Sequence, residues 1–239
     1  MRVSAIALKV TRYSDSQSIL TAFSRERGRL AFAIPAGRGR ESSRIRALTM
    51  PLGMVECETD IRPGRDVLPM RQVRPLKVNA DIHSNPLKQM TAMFVAEVLS
   101  ATLQAGETDE RTFDFVAAAA GYLDKAGPRE TANFPICFLY RWGELLGVEP
   151  DVSTYNIGGM LDMRDGRWRM TAPLHGQCLS PRASEAAAML SRMTFENMGA
   201  FRFRRGERAE ITDAILQYYS IHIAPLGNLK ALPVLRSML

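Results

Sequence analysis

The residues most able to do chemistry in this 239-residue chain are arginines in its first third. Seven of them lie between residues 25 and 46, opposed only by Glu26 and Glu41. They are Arg25, Arg27, Arg29, Arg38, Arg40, Arg44 and Arg46. A guanidinium group is a planar fork of donors that matches phosphate oxygens. Gly37 and Gly39 would let backbone amides approach the same phosphate, so the segment predicts contact with a sugar-phosphate chain. Six of the seven are the predicted phosphate contacts, namely Arg25, Arg27, Arg38, Arg40, Arg44 and Arg46.

The excess positive charge of the whole chain also lies in its first third. Residues 1–80 hold 15 of the 31 basic residues and 7 of the 25 acidic ones, a balance of +8, while the remainder has a balance of −2. Lys9, Arg12 and Lys77 are therefore added as weaker phosphate-contact predictions. Contact with about five phosphates predicts a log-log salt slope of roughly −3.5 on a single strand. The alternative is a solvated basic loop with no partner.

Aromatic side chains are sparse in the basic part of the chain. Phe23 and Phe32 share the parity of apolar strand positions, which predicts that they are core residues. Tyr13 is the remaining candidate for stacking on a base. Binding should therefore depend on backbone charge, with little sequence preference and with tolerance of single and double strands. RNA stays open as an alternative to DNA.

Motifs for catalysis or for a bound metal are missing from the sequence. The Gly37-Arg38-Gly39 step lacks the following lysine of a phosphate-binding loop, and the three histidines are isolated. The three cysteines show no C-x-x-C spacing, which argues against structural zinc and against a disulfide framework. We therefore expect no enzyme activity, no cofactor and no metal. A reducing cytoplasm and no membrane contact are the corresponding expectations, since no apolar stretch is long enough to span a bilayer.

The first 75 residues alternate apolar and polar side chains in short runs, as strands with one buried face do. These runs lie near residues 5–10, 19–23, 30–34, 48–57 and 66–74. Segments 25–28 and 61–64 supply turn signals between them. Five short strands are too few for a large sandwich, so the pattern predicts a small closed barrel, in which few sheet edges remain.

From residue 84 onward the apolar period becomes helical. Ser84 is the predicted cap of the first helix, and Gly147 is the predicted stop of an apolar third helix. The predicted helices cover residues 84–101, 113–123, 134–146, 180–193 and 209–223. A short hairpin is expected across Asp165-Gly166 within an irregular stretch at about 150–178. The sequence thus predicts an α+β protein with a barrel domain at 1–80 and a helical domain at 81–239.

The order of these features resembles the bacterial recombination mediator family RecO. The matching stretches include Ala5-Ile6-Ala7-Leu8, Pro35-Ala36-Gly37-Arg38, Leu145-Leu146-Gly147-Val148-Glu149-Pro150 and Leu216-Gln217-Tyr218-Tyr219. The resemblance implies an oligonucleotide-binding (OB) barrel followed by helices. It implies binding of single- and double-stranded DNA and annealing of complementary strands. It further implies contact with RecR and with the tail of the single-stranded-DNA-binding protein SSB, so that RecA can load, and a nucleoid-associated place in the cytoplasm.

The chain departs from the family pattern at one point. Many members carry two C-x-x-C pairs after the central helix, whereas here residues 151–159 contain no cysteine and only Cys178 lies downstream. A single thiolate cannot hold structural zinc, so we expect this chain to fold without metal.

A second hypothesis treats the helical domain as a docking platform. The SSB tail is acidic and ends in apolar residues, so its site should pair an apolar pocket with a cation. Helix 134–146 offers Arg141 beside Phe138 and Leu145, and these three residues are the predicted partner-binding site.

Overall fold

The computed structural model describes residues 1–62, 64–103, 109–223, 225–226 and 228–238. They form an α+β fold, as predicted, arranged in two compact units, residues 1–125 with 229–235 and residues 126–228 with 236–239. The strands are β1 (Arg2–Arg12), β2 (Gln17–Ser24), β3 (Gly28–Pro35), β4 (Met54–Glu58), β5 (Val67–Pro69), β6 (Arg71–Lys77), β7 (Met160–Asp162) and β8 (Arg167–Arg169). The helices are α1 (Arg40–Leu48), α2 (Ala80–Ser84), α3 (Pro86–Thr102), α4 (Glu110–Lys125), α5 (Pro128–Leu145), α6 (Pro181–Leu190), α7 (Arg205–His222) and α8 (Ala231–Met238).

The N-terminal sheet has six strands in the order β5-β3-β2-β1-β4-β6. β5 and β6 stand at opposite ends of this order, yet only Met70 separates them in the chain. Two consecutive strands therefore form the two edges of the sheet, which must curl to bring these edges together, as in a barrel. The predicted fifth strand is divided at this point, next to Gln72 with a φ of 49°, which explains six strands rather than five. Pro63, in the predicted turn at 61–64, lies outside the described residues.

Strand β1 is buried on both of its faces. Ala5 and Ala7 belong to the barrel interior with Leu20, Phe32 and Val55. Ile6 and Leu8, on the opposite face, are also buried, because α3 packs against β1. A bulge between Ala7 and Lys9 then changes which side chains face inward.

Helix α1 replaces part of the predicted loop and the start of the predicted fourth strand. Ile45 enters the barrel core and Leu48 packs against it, so two apolar residues are enough to hold this helix on the barrel. The following turn requires Gly53, since a Cβ at that position would lie 2.3 Å from the carbonyl oxygen of Leu48.

Helix α3 is capped by Asn85, not by Ser84 as the sequence suggested. The Asn85 Oδ1 atom accepts hydrogen bonds from the amides of Leu87, at 3.0 Å, and Lys88, at 3.3 Å. The Lys88 ammonium is buried and donates to the carboxylate of Asp81 and to the carbonyl of Asp124. Through this buried ammonium, the short, unpredicted helix α2 is linked to α3 and α4, although the Asp81 carboxylate itself is exposed.

Helix α5 is the buried central helix of the second unit, as its apolar sequence predicted. It begins at Pro128, six residues before the predicted start, because Glu130 caps its first turn. Phe134, Phe138 and Trp142 are fully buried and stack in series along one side of α5. The chain leaves the helix at Gly147, which has the positive φ of 69° that favours glycine.

The stretch at 150–178 contains the predicted hairpin, formed by β7 and β8 around Gly166. Trp168 packs edge-on against Tyr155, with their ring centroids 5.8 Å apart. Ser180 caps α6 as predicted, accepting a hydrogen bond from the amide of Ala183. Helix α7 starts four residues before its predicted start, and Gly227, in the predicted stop after it, lies outside the described residues.

Candidate nucleic-acid interface

One end of the barrel carries a group of exposed arginines on two adjacent segments. We call this group the hairpin-end cluster; its members are Arg12, Arg38, Arg40 and Arg46. The amide of Ala36 donates to the carbonyl of Ser16 at 2.9 Å, so the segment after β3 lies against the β1–β2 hairpin. The Arg46 guanidinium donates to the carbonyl of Gly37 at 3.3 Å, which brings α1 to the same place. Four of the nine predicted phosphate contacts therefore belong to one surface.

Two other predicted residues lie at the opposite end of the strands. Arg25 and Arg27 occupy the β2–β3 turn, and the eight residues of β2 put about 23 Å between this turn and the hairpin. Lys77 pairs with Met54 of β4, and its ammonium lies over Gly121 of α4. The arginine-rich segment is thus divided, because β3 runs the length of the barrel between its two halves.

Two of the predicted arginines already have acidic partners within the fold. The Arg25 guanidinium pairs with Asp114 and lies over the ring of Phe113, so its charge is used within the fold. The side chain of Arg44 pairs with Glu41 at 3.0 Å, and this bond lowers the pKa of the Glu41 carboxyl. Arg44 also donates to the carbonyl of Val73, which ties α1 to β6.

The remaining cations keep their charge available to a ligand. Among the described residues, no acidic side chain pairs with Lys9, Arg27, Arg38, Arg40 or Arg46. Arg12 pairs with Asp15 at 2.7 Å, but both side chains are largely exposed, and such a pair is weak.

The start of α1 adds backbone donors to the hairpin-end cluster. Gly39 caps this helix without a side chain, so the first amides of α1 are open to an anion between Arg38 and Arg40. Tyr13, on the neighbouring hairpin, is 72% exposed, as a stacking residue must be. Phe23 and Phe32 are buried, as predicted.

The outer face of β1, β2 and β3 connects this cluster to the rest of the barrel. Lys9 lies opposite Thr21, which in turn lies opposite Ala31. The next row consists of Thr11, Ile19 and Ala33. Four of these six side chains are threonine or alanine, which leaves room for a nucleic-acid chain to approach the sheet. Sequence reasoning missed this face, although Thr21 and Ala31 could have been found from the hairpin register that pairs β2 with β3.

The predicted docking residues on α5 are mainly internal. Phe138 is fully buried, and Leu145 is half-buried. The Arg141 guanidinium donates to the carbonyls of Leu190, Ser191 and Met193 and pairs with Glu144 at 2.6 Å. Arg141 therefore fastens the end of α6 to α5 and does not face solvent as a docking cation would.

An apolar pocket lies beside these residues, between α5, α6, α7 and the β7–β8 hairpin. Its walls include Leu139, Leu161, Ala187, Ile211, Ile215 and Tyr218. Glu149 is the one acidic group at its edge among the described residues. Burial raises the pKa of Tyr218 to about 12, so its hydroxyl stays protonated and can donate to a ligand.

The fold and the cations together define a class of protein: an OB-type barrel with a charged rim, followed by a helical part. No helix formed by the described residues is long and apolar enough to cross a membrane. The same residues contain no group of three side chains that could hold a metal ion.

Comparison with known proteins identifies the family. The family model for the recombination protein O N terminal matches residues 1–78, and that for the recombination protein O C terminal matches residues 83–232. The chain is 36% identical over 242 residues to the DNA repair protein RecO of Porphyromonas gingivalis, covering 98% of this chain and 97% of that relative. It is 30% identical to the DNA repair protein RecO of Phocaeicola vulgatus, with 98% and 96% covered. The chain therefore belongs to the RecO family and has a role in DNA repair and recombination.

Proposed function

We propose that this protein is a non-enzymatic mediator that binds single- and double-stranded DNA, anneals complementary strands and acts with RecR to load RecA onto SSB-coated DNA. The observation that supports the DNA-binding step is the hairpin-end cluster. There, Arg38 and Arg40 flank the open amides at the start of α1, and neither guanidinium has an acidic partner among the described residues. This combination of fixed amide donors and unpaired guanidinium groups suits a phosphate.

The path of a strand follows from the same geometry. A strand that enters at the hairpin-end cluster would cross the outer face of β1–β3, with Lys9 beneath it. Tyr13 would stack on one base at the entry. Because the contacts are mainly to phosphates, we propose similar affinity for unrelated sequences.

The test is a titration of labelled single strands against the full chain at several salt concentrations. The Arg38→Ala/Arg40→Ala variant should bind unrelated sequences equally weakly, and its log-log salt slope should be flatter by about 1.4. The Arg2→Ala/Arg62→Ala variant is the matched control, because each of these arginines already has acidic neighbours, Glu56 and Glu58 for Arg2 and Asp60 for Arg62. Unchanged affinity of the first variant at low salt would refute the assignment.

RNA is the alternative ligand, since backbone charge does not distinguish the two polymers. DNA and RNA of matched length should be competed at one salt concentration. Preferential binding of RNA would contradict the proposed role on DNA strands.

The helical unit is the proposed docking site for the SSB tail. The apolar pocket beside α5 supports this part of the proposal, since it can take the apolar end of the tail. The described lining of the pocket has Glu149 and no cation, and Arg141 is occupied, so the acidic part of the tail would bind outside the pocket. Ala187→Phe would fill the pocket from α6 and should abolish binding of a tail peptide while DNA binding stays unchanged. Normal peptide binding by that variant would exclude the pocket.

A further inference from the structure

A second basic segment lies in the helical unit, just before and within the start of α7. It reads Phe201-Arg202-Phe203-Arg204-Arg205-Gly206-Glu207-Arg208. We call it the phenylalanine-arginine segment. Four arginines and one glutamate stand in these eight residues, in a part of the chain whose total balance is −2. This local excess of positive charge is not needed for the barrel interface described above.

The part of this segment before α7 is extended at Phe201 and Arg204, and hydrogen bonds hold it at both ends. Asn133 donates its side-chain amide to the carbonyl of Phe201 at 3.0 Å. The amide of Arg204, the residue that caps α7, donates to the Glu207 carboxylate at 2.7 Å. Since α7 continues to His222, the segment is fixed to a long helix.

The side chains of the extended part divide by type. Phe201 and Phe203 stack on each other, with ring centroids 6.1 Å apart and planes at 18°, and both are half-buried. Arg202 and Arg204 alternate with them and are exposed. Alternation in extended backbone directs neighbouring side chains to opposite sides. By alternation the arginines lie in a row on the side away from the ring stack, but Arg202 and Phe203 line one cavity, so a guanidinium and a ring face the same space.

Three glutamates, Glu185, Glu207 and Glu210, line this cavity together with Arg182. Glu207 is engaged by Arg182 at 2.7 Å as well as by the cap of α7. Within the described residues, no acidic side chain pairs with Arg202 or Arg204.

We propose that the phenylalanine-arginine segment binds a second single strand of DNA, with Arg202 and Arg204 on its phosphates and the phenylalanine rings against its bases. The inference rests on the proposed DNA-binding function of the barrel and adds a separate surface. Arginines interleaved with aromatic rings match the phosphate-and-base repeat of a single strand. An acidic peptide offers carboxylates but lacks the flat bases that would use two stacked rings. A chain with two such surfaces holds two strands at once, which annealing requires.

The experiment measures how many strands one full-length chain binds. Two non-complementary oligothymidine strands with different dyes are mixed with the protein, and complexes that contain both dyes are counted per chain. The wild-type protein should form such complexes, and Arg202→Ala/Arg204→Ala should reduce them at least about tenfold while binding of the first strand persists. The salt slope of the second binding step should flatten by about 1.4.

Two further variants make the result decisive. Arg164→Ala/Arg167→Ala removes two exposed charges from the hairpin of the same unit and should leave two-strand binding unchanged. Phe203→Leu keeps an apolar side chain but removes one ring, and it should weaken the second step alone. Normal two-strand binding by Arg202→Ala/Arg204→Ala would overturn the inference. So would a result in which this variant keeps two-strand binding and instead loses binding of an acidic peptide. Failure of the wild-type protein to bind any DNA would instead reject the proposed function.

Discussion

The guanidinium carbon of Arg25 lies 4.5 Å from the centroid of the Phe113 ring, on the first turn of α4. The same guanidinium donates to Asp114, and this bond raises the pKa of Arg25. The contact joins the β2–β3 turn to α4. An arginine that the sequence suggested for phosphate binding is thus a packing and pairing residue of its own unit.

Arg25→Ala should therefore reduce stability more than DNA affinity. The lost cation–π and ionic contacts are worth about 1–2 kcal/mol together. Denaturant unfolding should detect this loss, while the salt slope for single strands stays at the wild-type value. Arg27→Ala, in the same turn, serves as the control with little effect on unfolding. A flattened salt slope in Arg25→Ala would show that its charge does reach the DNA.

Arg141→Met should destabilise the protein by about 3 kcal/mol. The change leaves three carbonyls at the end of α6 without their donor, although the methionine still fills the space. The measurement is the free energy of unfolding, compared with Arg129→Met, an exposed residue of the same helix. Equal stability of the two variants would contradict this structural role.

Asp162→Asn should destabilise the protein at neutral pH but not in acid. Burial raises the pKa of Asp162, but amide bonds from Arg164 and Asp165 and the charge of His175 outweigh it and bring the pKa below its usual value. A carboxylate with a lowered folded pKa contributes stability above its unfolded pKa, near 3.9, and loses it as the pH falls. The difference between the two proteins should be about 1–3 kcal/mol at pH 7 and should shrink below about pH 4. A difference independent of pH would mean that the charge of Asp162 is not what matters.

Gly143→Ala should loosen the contact between α5 and α7. An added Cβ would lie 3.2 Å from the Tyr219 hydroxyl oxygen, which donates to the carbonyl of Leu139. Overpacking of this kind costs about 1–3 kcal/mol. Thermal unfolding should show the loss, and Gly206→Ala, where nothing lies within 4 Å of the new atom, is the control. A midpoint no lower than that of the control would show that the two helices can separate freely.

Metal chelators should not change the unfolding midpoint. The purified protein should release no zinc to a colorimetric indicator after denaturation, since Cys178 stands alone in the region where relatives with two C-x-x-C pairs have four thiolates. Stoichiometric zinc, or a midpoint lowered by chelation, would refute the metal-free prediction.

The pattern of neighbouring residues was sufficient to predict helix α5 and the β7–β8 turn. The apolar circumference of α5 predicted a central helix, and Asp165-Gly166 predicted the β7–β8 turn. Strand β1 shows where such reasoning fails: both of its faces are buried, so alternation could not say which residues line the barrel. The covering helix α3 belongs to a distant part of the sequence.

The candidate interface was predictable in composition but not in arrangement. Arg38 and Arg40 could be selected because they stand in a basic segment that contains only two acidic residues, Glu26 and Glu41. The occupation of Arg25 by Asp114 depends on a contact 89 positions away along the chain, which spacing does not reveal. Helix α1 was missed because it has few apolar residues and owes its stability to Ile45 in the barrel core.

The Asp162 carboxylate contacts several residues of the 150–178 stretch. It accepts hydrogen bonds from the backbone amides of Arg164 and Asp165 and makes an ionic contact with Arg169 at 3.2 Å. Each of these contacts uses the same negative charge, so one proton on Asp162 would weaken all of them together. The arrangement of the whole stretch is thus tied to the ionisation of a single side chain.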